Sequence, residues 1–161
     1  MACRIGGRRL GLPPIVVVPL PAELATRSVR TLAWVGDALF EQQVRARVAL
    51  RGDFPVDRLD AINAAVVRAE RQAGLLEAIV GELDDAEAAL VRRARNTTPP
   101  SSARGRRGMQ SYRAASALEA LVALWSTSEP GLARLAAVLM PQVELAIDEA
   151  VAAFGKRLRR G

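Results

Sequence analysis

The stretch LAWVGDALFE, residues 32–41, places one carboxylate inside an otherwise apolar helical pattern. Its apolar residues Leu32, Val35 and Leu39 recur at spacings of three and four, which is typical of one buried face of an α-helix. Asp37 has almost no polar neighbour within this run. A carboxylate in such surroundings is costly unless a cation or hydrogen bonds compensate its charge, so Asp37 is a candidate functional residue.

A second acid, Glu119, sits in a similar apolar setting in AASALEALVALW, residues 114–125. Two such acids on separate helices could face one another and hold a divalent cation. The residues alone leave a plainer alternative open, in which each acid points outward through a narrow polar stripe or pairs with an arginine. Glu41, one turn after Asp37, could share its face, but an ordinary surface acid is the favoured interpretation. Gly36 is expected to allow close helix packing.

The composition predicts an all-α fold. Half of the 161 residues are hydrophobic, which supports a core for one domain, while aromatic residues make up only 4%. Abundant alanine and scarce aromatics favour packed helices over a β-sandwich. We predict one domain over residues 22–161. Residues 1–21 are expected to form a disordered extension, because four prolines interrupt its short, signal-like apolar run.

Periodicity and helix signals place the individual helices. Residues 22–50 are predicted to form one long helix or two abutting ones, and Asp57 is expected to cap the next. Further helices are predicted over residues 70–81, 84–95 and 110–126, with a loop over 96–108. Pro130 is expected near the start of another helix, and Pro141 is expected to start or kink the last one, which ends in a basic tail over residues 156–160.

The charge balance and two residue counts narrow the chemistry. The net charge of +6 favours a polyanionic partner. The absence of histidine excludes a Ser-His-Asp triad and histidine metal ligands. The single cysteine, Cys3, excludes an intrachain disulfide and a cysteine-based zinc site. Catalysis would therefore use carboxylates, hydroxyls or arginines, with an oxygen-preferring metal such as Mg²⁺. No apolar stretch is long enough to span a membrane.

The basic residues are unevenly placed. No acidic residue occurs between Glu87 and Glu119, whereas that interval contains seven arginines. They are Arg92, Arg93, Arg95, Arg104, Arg106, Arg107 and Arg113. A glycine-bearing loop with clustered arginines, close in sequence to Glu119, predicts a contact with nucleic-acid phosphates. The alternative is a solvated basic loop without a partner.

Several of these motifs resemble a known family. LAWVGDALFE resembles the Gly-Asp-Ala signature of the ribonuclease III catalytic domain, and ALEAL, residues 117–121, resembles its second acidic motif. RARN, residues 93–96, and Tyr112-Arg113 are similar to the Mini-ribonuclease III branch, which lacks a separate double-stranded-RNA-binding domain. Two further acids of ordinary ribonuclease III are replaced by Ala33 and Ser116, as in the Mini branch.

The resemblance implies a ribonuclease III-type helical endonuclease domain that forms a symmetric homodimer and cuts double-stranded RNA. It implies that Asp37 and Glu119 are catalytic and bind Mg²⁺. The residues expected to contact RNA are Arg95, Asn96, Arg104, Arg106, Arg107 and Arg113. It further implies a cytoplasmic enzyme that matures precursor 23S ribosomal RNA, assisted by a large-subunit ribosomal protein. Two alternatives are kept: a non-catalytic double-stranded-RNA-binding domain of the same fold, and a helical DNA-binding regulator.

Overall fold

The computed structural model describes residues 18–97 and 105–157, and the regular secondary structure of these residues is entirely helical. This confirms the predicted all-α fold. The helices are α1 (Val29–Ala49), α2 (Val56–Val67), α3 (Ala69–Ile79), α4 (Asp85–Arg95), α5 (Gly105–Trp125), α6 (Glu129–Arg134) and α7 (Met140–Arg157). Two 3-10 turns, Ala22–Thr26 and Val80–Glu82, and one π-helical turn, Leu135–Leu139, complete the described part.

Helix α5 lies at the centre of the core. It packs most extensively against α1, and α3 and α4 also lie along it, whereas α2 and α7 pack against α1 and each other. The middle of α5 is apolar on nearly every side, with Leu118, Leu121 and Val122 completely buried. The small side chains of Ala117 and Ala120 let neighbouring helices approach closely. Glu119 is therefore carried by a helix that offers very little polar surface around it.

The structure refines the predicted first helix. Ser28 caps the N-terminus of α1, where its hydroxyl accepts a hydrogen bond from the Thr31 amide. The preceding residues form the separate 3-10 turn, so the alternative of two abutting helical segments is the better description of residues 22–50. The predicted N-terminus of α4 is confirmed: Asp84 and Glu87 form a reciprocal capping box there.

Two local predictions were wrong. Asp57 does not cap α2, because Pro55 occupies the cap position. Asp57 lies in the first turn, where its negative charge interacts favourably with the positive end of the helix dipole. The loop predicted over residues 96–108 is too long, because α5 already begins at Gly105. Arginine is a good helix former, so Arg106 and Arg107 suit a helical first turn in a segment in which glycines predicted a loop.

The predicted break at Pro141 takes the form of a π-helical turn just before it. Proline has no amide hydrogen, so an α-helix continuing through Pro141 would leave the Ala137 carbonyl without its usual donor. The wider turn over Leu135–Leu139 changes the hydrogen-bond register there, and α7 then begins at Met140. The sequence signal for a discontinuity near Pro141 is therefore confirmed.

The chain ends are described only in part. Residues 1–17 of the predicted extension lie outside the described residues, as do residues 158–160 of the predicted basic tail. Within the described part, the Leu20 amide donates a hydrogen bond to the Ser126 carbonyl at 2.7 Å, which ties the chain to the end of α5. None of the helices in residues 18–97 and 105–157 combines the length and apolar character that crossing a bilayer requires.

Candidate active site

The site is built where α1 crosses α5 at Gly36. A Cβ atom added at Gly36 would lie only 1.8 Å from the Glu119 carbonyl oxygen and 2.5 Å from the Glu119 carbonyl carbon. Both are backbone atoms and cannot move aside without separating the two helices. The predicted packing role of Gly36 is therefore confirmed. Because Asp37 follows Gly36 directly, the same contact carries Asp37 to the segment of α5 that bears Glu119.

Asp37 and Glu119 are close enough for their charges to interact. Burial, followed by the negative charge of Asp37, raises the pKa of Glu119 to about 7. Partial burial and the charge of Glu41 also raise the pKa of Asp37. The residue Asp37 is exposed at the surface, whereas Glu119 is only partly accessible beneath it. The structure thus brings together the two acids that the sequence singled out, in an arrangement that favours the binding of positive charge.

The donor atoms of this pair suit a hard divalent cation. Carboxylate oxygens are the ligands that Mg²⁺ prefers, and Mg²⁺ typically uses one or two protein carboxylates and keeps several waters. No group of three or more metal-ligating side chains occurs within residues 18–97 and 105–157. Two carboxylates at a partly open site match that preference, and a cation there would relieve their mutual repulsion. The residues present therefore fit Mg²⁺.

Glu41 has partners of its own. Its carboxylate accepts hydrogen bonds from Nη2 and Nε of Arg45 at 2.7 and 2.9 Å, and from Nδ2 of Asn63 at 3.1 Å. The hydrogen bond from Arg45 is the main cause of its lowered pKa, against an opposing effect of burial. Glu41 is thus paired with the guanidinium group of Arg45, in keeping with the interpretation as a surface acid. Its negative charge nevertheless contributes to the raised pKa of Asp37.

Sequence reasoning missed Gln72. This residue of α3 is 3% exposed, and its Nε2 atom donates to Glu119 Oε1 at 3.3 Å and to the Val67 carbonyl at 2.8 Å. A signal was available, because Gln72 shares the buried face of α3 with Leu75, Leu76 and Ile79 at helical spacing. A polar residue on such a face needs a polar partner, and Glu119 is one of the two partners it finds.

The predicted RNA-binding residues fall into two groups. Arg95 and Arg113 line one pocket of about 480 Å³ between α3, α4 and α5, and Asn96 is exposed at the end of α4. Arg95 is paired with Glu77 at 2.6 Å. Arg106 and Arg107 lie in the first turn of α5, but their side chains are outside the described part, as is the whole of Arg104. The structure thus brings Arg95 and Arg113 together.

Comparison with known proteins agrees with this fold. The sequence matches the ribonuclease III domain over residues 30–130, a range that includes Asp37, Gln72 and Glu119. The chain belongs to the ribonuclease III family. The resemblance to its Mini branch is also confirmed by relatives of that name. The Mini-ribonuclease 3 of Desulfitobacterium hafniense is 34% identical over 66% of this chain and 66% of its own length. That of Synechocystis is 39% identical over 56% of this chain and 62% of its own length.

These two matches span just under two thirds of each ribonuclease III relative's length. A crystal structure of a protein from Fusobacterium nucleatum has the same fold, with a TM-score of 0.60 and 25% sequence identity. The alignment covers 76% of this chain and 94% of that one.

This ribonuclease III domain has a reduced set of acids. Ala33 and Ser116 occupy the positions where the resemblance expects two further carboxylates, and each is 9% exposed. Both residues are small and lie at the edge of the core, one turn from Asp37 and Glu119 respectively. The carboxylates that remain are therefore the two that the Gly36 contact brings together.

Proposed function

We propose that this protein is a Mg²⁺-dependent endoribonuclease that cleaves double-stranded RNA, with Asp37 and Glu119 as its metal-binding catalytic residues. The observation that carries the proposal is the close crossing at Gly36, which places Asp37 against the Glu119 segment within a ribonuclease III domain. The raised pKa of Glu119 supports it, because a carboxylate that is both buried and beside a second negative charge is stabilised by a shared cation.

The chemistry assigned to these residues is hydrolysis of a phosphodiester bond. A bound Mg²⁺ ion would lower the pKa of a water molecule and neutralise the charge that develops on the scissile phosphate. Asp37 and Glu119 would supply the protein oxygens that hold the ion, and Glu119 must release its proton to do so. The oxygen of water forms a bond to phosphorus and gives up a proton, while the bond between phosphorus and the 3′ oxygen breaks and that oxygen gains a proton, which leaves a 5′-phosphate and a 3′-hydroxyl.

A cleavage assay tests this proposal directly. We expect the purified protein to cut duplex RNA when Mg²⁺ is present and to leave duplex DNA intact, with all cleavage lost in excess EDTA. Undiminished activity in EDTA would exclude the metal mechanism. Binding of duplex RNA without cleavage would favour the non-catalytic alternative, and preferential binding of duplex DNA would favour the DNA-binding regulator.

We also propose that one asparagine and five arginines, from the end of α4 to the first half of α5, hold the RNA backbone. These are Arg95, Asn96, Arg104, Arg106, Arg107 and Arg113. A-form RNA is recognised mainly through its shape, its phosphates and its 2′-hydroxyls, so such contacts would favour duplex RNA without a strong sequence preference. Arg113 carries the strongest support, because it lines the pocket shared with Arg95 and, unlike Arg95, has no ion-pair partner among residues 18–97 and 105–157.

Arg113→Ala should weaken the binding of duplex RNA at every sequence tested. Loss of one phosphate contact should also reduce the slope of log affinity against log salt by about 1. The measurement is fluorescence anisotropy at several salt concentrations, with the catalytic acids neutralised to prevent cleavage. Arg71→Ala is a matched control, because Arg71 is already paired with Glu149 at 2.6 Å. An unchanged salt slope in the Arg113 variant would remove Arg113 from the RNA interface.

We propose that the working form is a homodimer and that Trp34 contributes to its interface. The Trp34 side chain is 78% exposed on α1, three residues before Asp37. An indole so exposed is unfavourable in water, and tryptophan is among the residues that contribute most to protein interfaces. The dimer itself is implied by the family resemblance, and it would place two active sites across one RNA duplex.

Trp34→Ala should therefore shift the protein from dimer to monomer without unfolding it. A dimer anchor of this kind contributes about 2 kcal/mol or more, so the dissociation constant should rise by at least about 30-fold. Analytical ultracentrifugation over a range of concentrations measures this shift. Val80→Ala, at another exposed apolar side chain (45% exposed), is the control. A Trp34 variant with wild-type self-association would contradict the proposed interface.

The resemblance further suggests that the natural substrate is precursor 23S ribosomal RNA and that a large-subunit ribosomal protein assists its cleavage in the cytoplasm. The net charge of +6 is compatible with a structured RNA partner. Mapping the 5′ ends produced from precursor ribosomal RNA, with and without large-subunit ribosomal proteins, tests this part of the proposal. Cleavage at the mature 23S ends would support it, and cleavage at unrelated positions would contradict it.

A further inference from the structure

Gln72 occupies a position that links three elements of the fold. It lies in α3 near the corner with α2, and its amide nitrogen contacts the Val67 carbonyl of α2 and the Glu119 carboxylate of α5. It is almost completely buried, so neither hydrogen bond competes strongly with bulk water.

The direction of the Gln72 amide is determined by the backbone. Val67 is the last residue of α2, and its carbonyl belongs to the final turn, where carbonyls lack intrahelical donors. A carbonyl can only accept a hydrogen bond, so Gln72 must present its NH₂ group rather than its oxygen. That group has a second hydrogen, which is available to Glu119. The amide would therefore keep this orientation even without Glu119.

The remaining atom of the amide indicates that the arrangement is not optimised for stability alone. Gln72 Oε1 is buried and has no hydrogen-bond partner within the described part of the chain. A buried acceptor without a partner is unfavourable, and such groups in native proteins often lie at functional sites. An apolar side chain would avoid this cost at a position whose neighbours on the same face, Leu75 and Leu76, are apolar.

We propose that Gln72 is a positioning residue that holds the Glu119 carboxylate beside Asp37, using the Val67 carbonyl as its anchor. The inference rests on the proposed function, because it assigns Gln72 the task of preparing Glu119 to bind a cation. The side chain of Glu119 has three rotatable bonds, and α5 offers it little other polar contact. Residues that orient metal ligands in this way typically change metal affinity or activity by 10- to 100-fold.

The test compares Gln72→Met with Gln43→Met. Methionine has a similar length and no hydrogen-bond donor. Gln43 is an equally buried glutamine, 4% exposed, whose amide serves Arg47 instead of the acid pair. We expect Gln72→Met to bind Mg²⁺ roughly 10- to 100-fold more weakly by calorimetry, and Gln43→Met to bind it as the wild type does. At limiting Mg²⁺, kcat on duplex RNA should fall without a change in KM, and excess Mg²⁺ should restore it.

Rescue by Mg²⁺ separates positioning from a purely structural role, since added metal does not repair a packing defect. Wild-type Mg²⁺ affinity in a folded Gln72→Met protein would overturn the inference and leave the proposed nuclease intact.

A second measurement uses the metal-free protein and does not depend on nuclease activity. The side-chain amide resonances of Gln72 should shift in Glu119→Ala, because that variant lacks the acceptor. Unchanged resonances would overturn the inference even if Gln72→Met failed to fold. A wild-type protein that neither binds Mg²⁺ nor cleaves RNA would overturn the proposed function, whether or not these resonances shift.

Discussion

Asp37→Asn and Glu119→Gln proteins should fold and bind duplex RNA but cleave it at least ~100-fold more slowly than the wild type. Each substitution keeps the size of the side chain and removes one of the two negative charges that would hold Mg²⁺. Since Ala33 and Ser116 cannot supply a replacement carboxylate, no neighbouring acid at those positions can compensate. Single-turnover cleavage at saturating Mg²⁺ measures the effect on the chemical step.

Glu70→Gln is the matched control for these variants. Glu70 is an exposed acid in the first turn of α3, and its neutralisation removes the same charge from the protein without touching the acid pair. Its cleavage rate should stay within about twofold of the wild type, as for most surface substitutions. Wild-type cleavage by either Asp37→Asn or Glu119→Gln would contradict the assignment of that residue.

The same Glu119→Gln protein should be more stable than the wild type when Mg²⁺ is absent and the pH is high. Folding raises the pKa of Glu119 from 4.5 to about 7, so the folded protein holds this proton more tightly than the unfolded chain does. The free energy of unfolding therefore falls as the pH rises from 4.5 to about 7. Glutamine carries no charge and escapes this loss, and the difference should reach about 1–3 kcal/mol above pH 7.

Urea unfolding in EDTA at pH 5 and pH 8 measures this difference. The two proteins should unfold at similar urea concentrations at the lower pH and diverge at the higher pH. Equal stability at both values would show that Glu119 is not destabilised by its surroundings. Added Mg²⁺ should reduce the difference at pH 8, because a ligand that binds only the folded wild type stabilises it.

Gly36→Ala should have the second large effect, on both stability and activity. The added Cβ would overlap the Glu119 backbone at 1.8 Å, so α1 and α5 would have to move apart. We expect a loss of about 3 kcal/mol or more in the free energy of unfolding, at the upper end for overpacked cores. For a domain of this size that corresponds to a fall in Tm of roughly 6–12 °C.

Separating α1 from α5 also moves Asp37 away from Glu119, and a misplacement of about 1 Å can cost as much as 100-fold in rate. The cleavage rate of folded Gly36→Ala protein at low temperature should therefore fall as well. Gly74→Ala is the control: Gly74 is also helical, but a Cβ there meets nothing within 4 Å. Because alanine favours a helix by about 0.5–1 kcal/mol over glycine, that variant should be slightly more stable.

A Gly36→Ala protein with wild-type stability would show that the two helices are free to separate at this point. A stable but inactive one would locate the whole effect in the site. Either result would contradict the conclusion that the contact at Gly36 holds Asp37 and Glu119 together. The helix crossing predicts that both stability and cleavage activity are lost.

The sequence pattern was sufficient to predict the helical class and to single out Asp37 and Glu119 as unusual acids. Both conclusions depend on differences between residues that are close together in the sequence. Asp37 and Glu119 stand out because each interrupts an apolar periodicity, and that information lies within one helix. The helix boundaries were less well determined. Gly105 and Pro55 show why: glycine and proline are typical of turns, yet here each stands at a helix start, so local propensity is a weak guide to where a helix begins.

Only the folded chain decided that the two acids lie close together and that Gln72 contacts Glu119. Their proximity depends on the absence of a side chain at Gly36, opposite a backbone carbonyl that lies 83 positions further along the chain. Gln72 likewise contacts Glu119 across a separation of 47 residues, and no periodicity within α3 identifies that partner. Contacts between distant segments are set by how helices pack in three dimensions, so a pattern read along one helix can indicate a buried polar group but not what it touches.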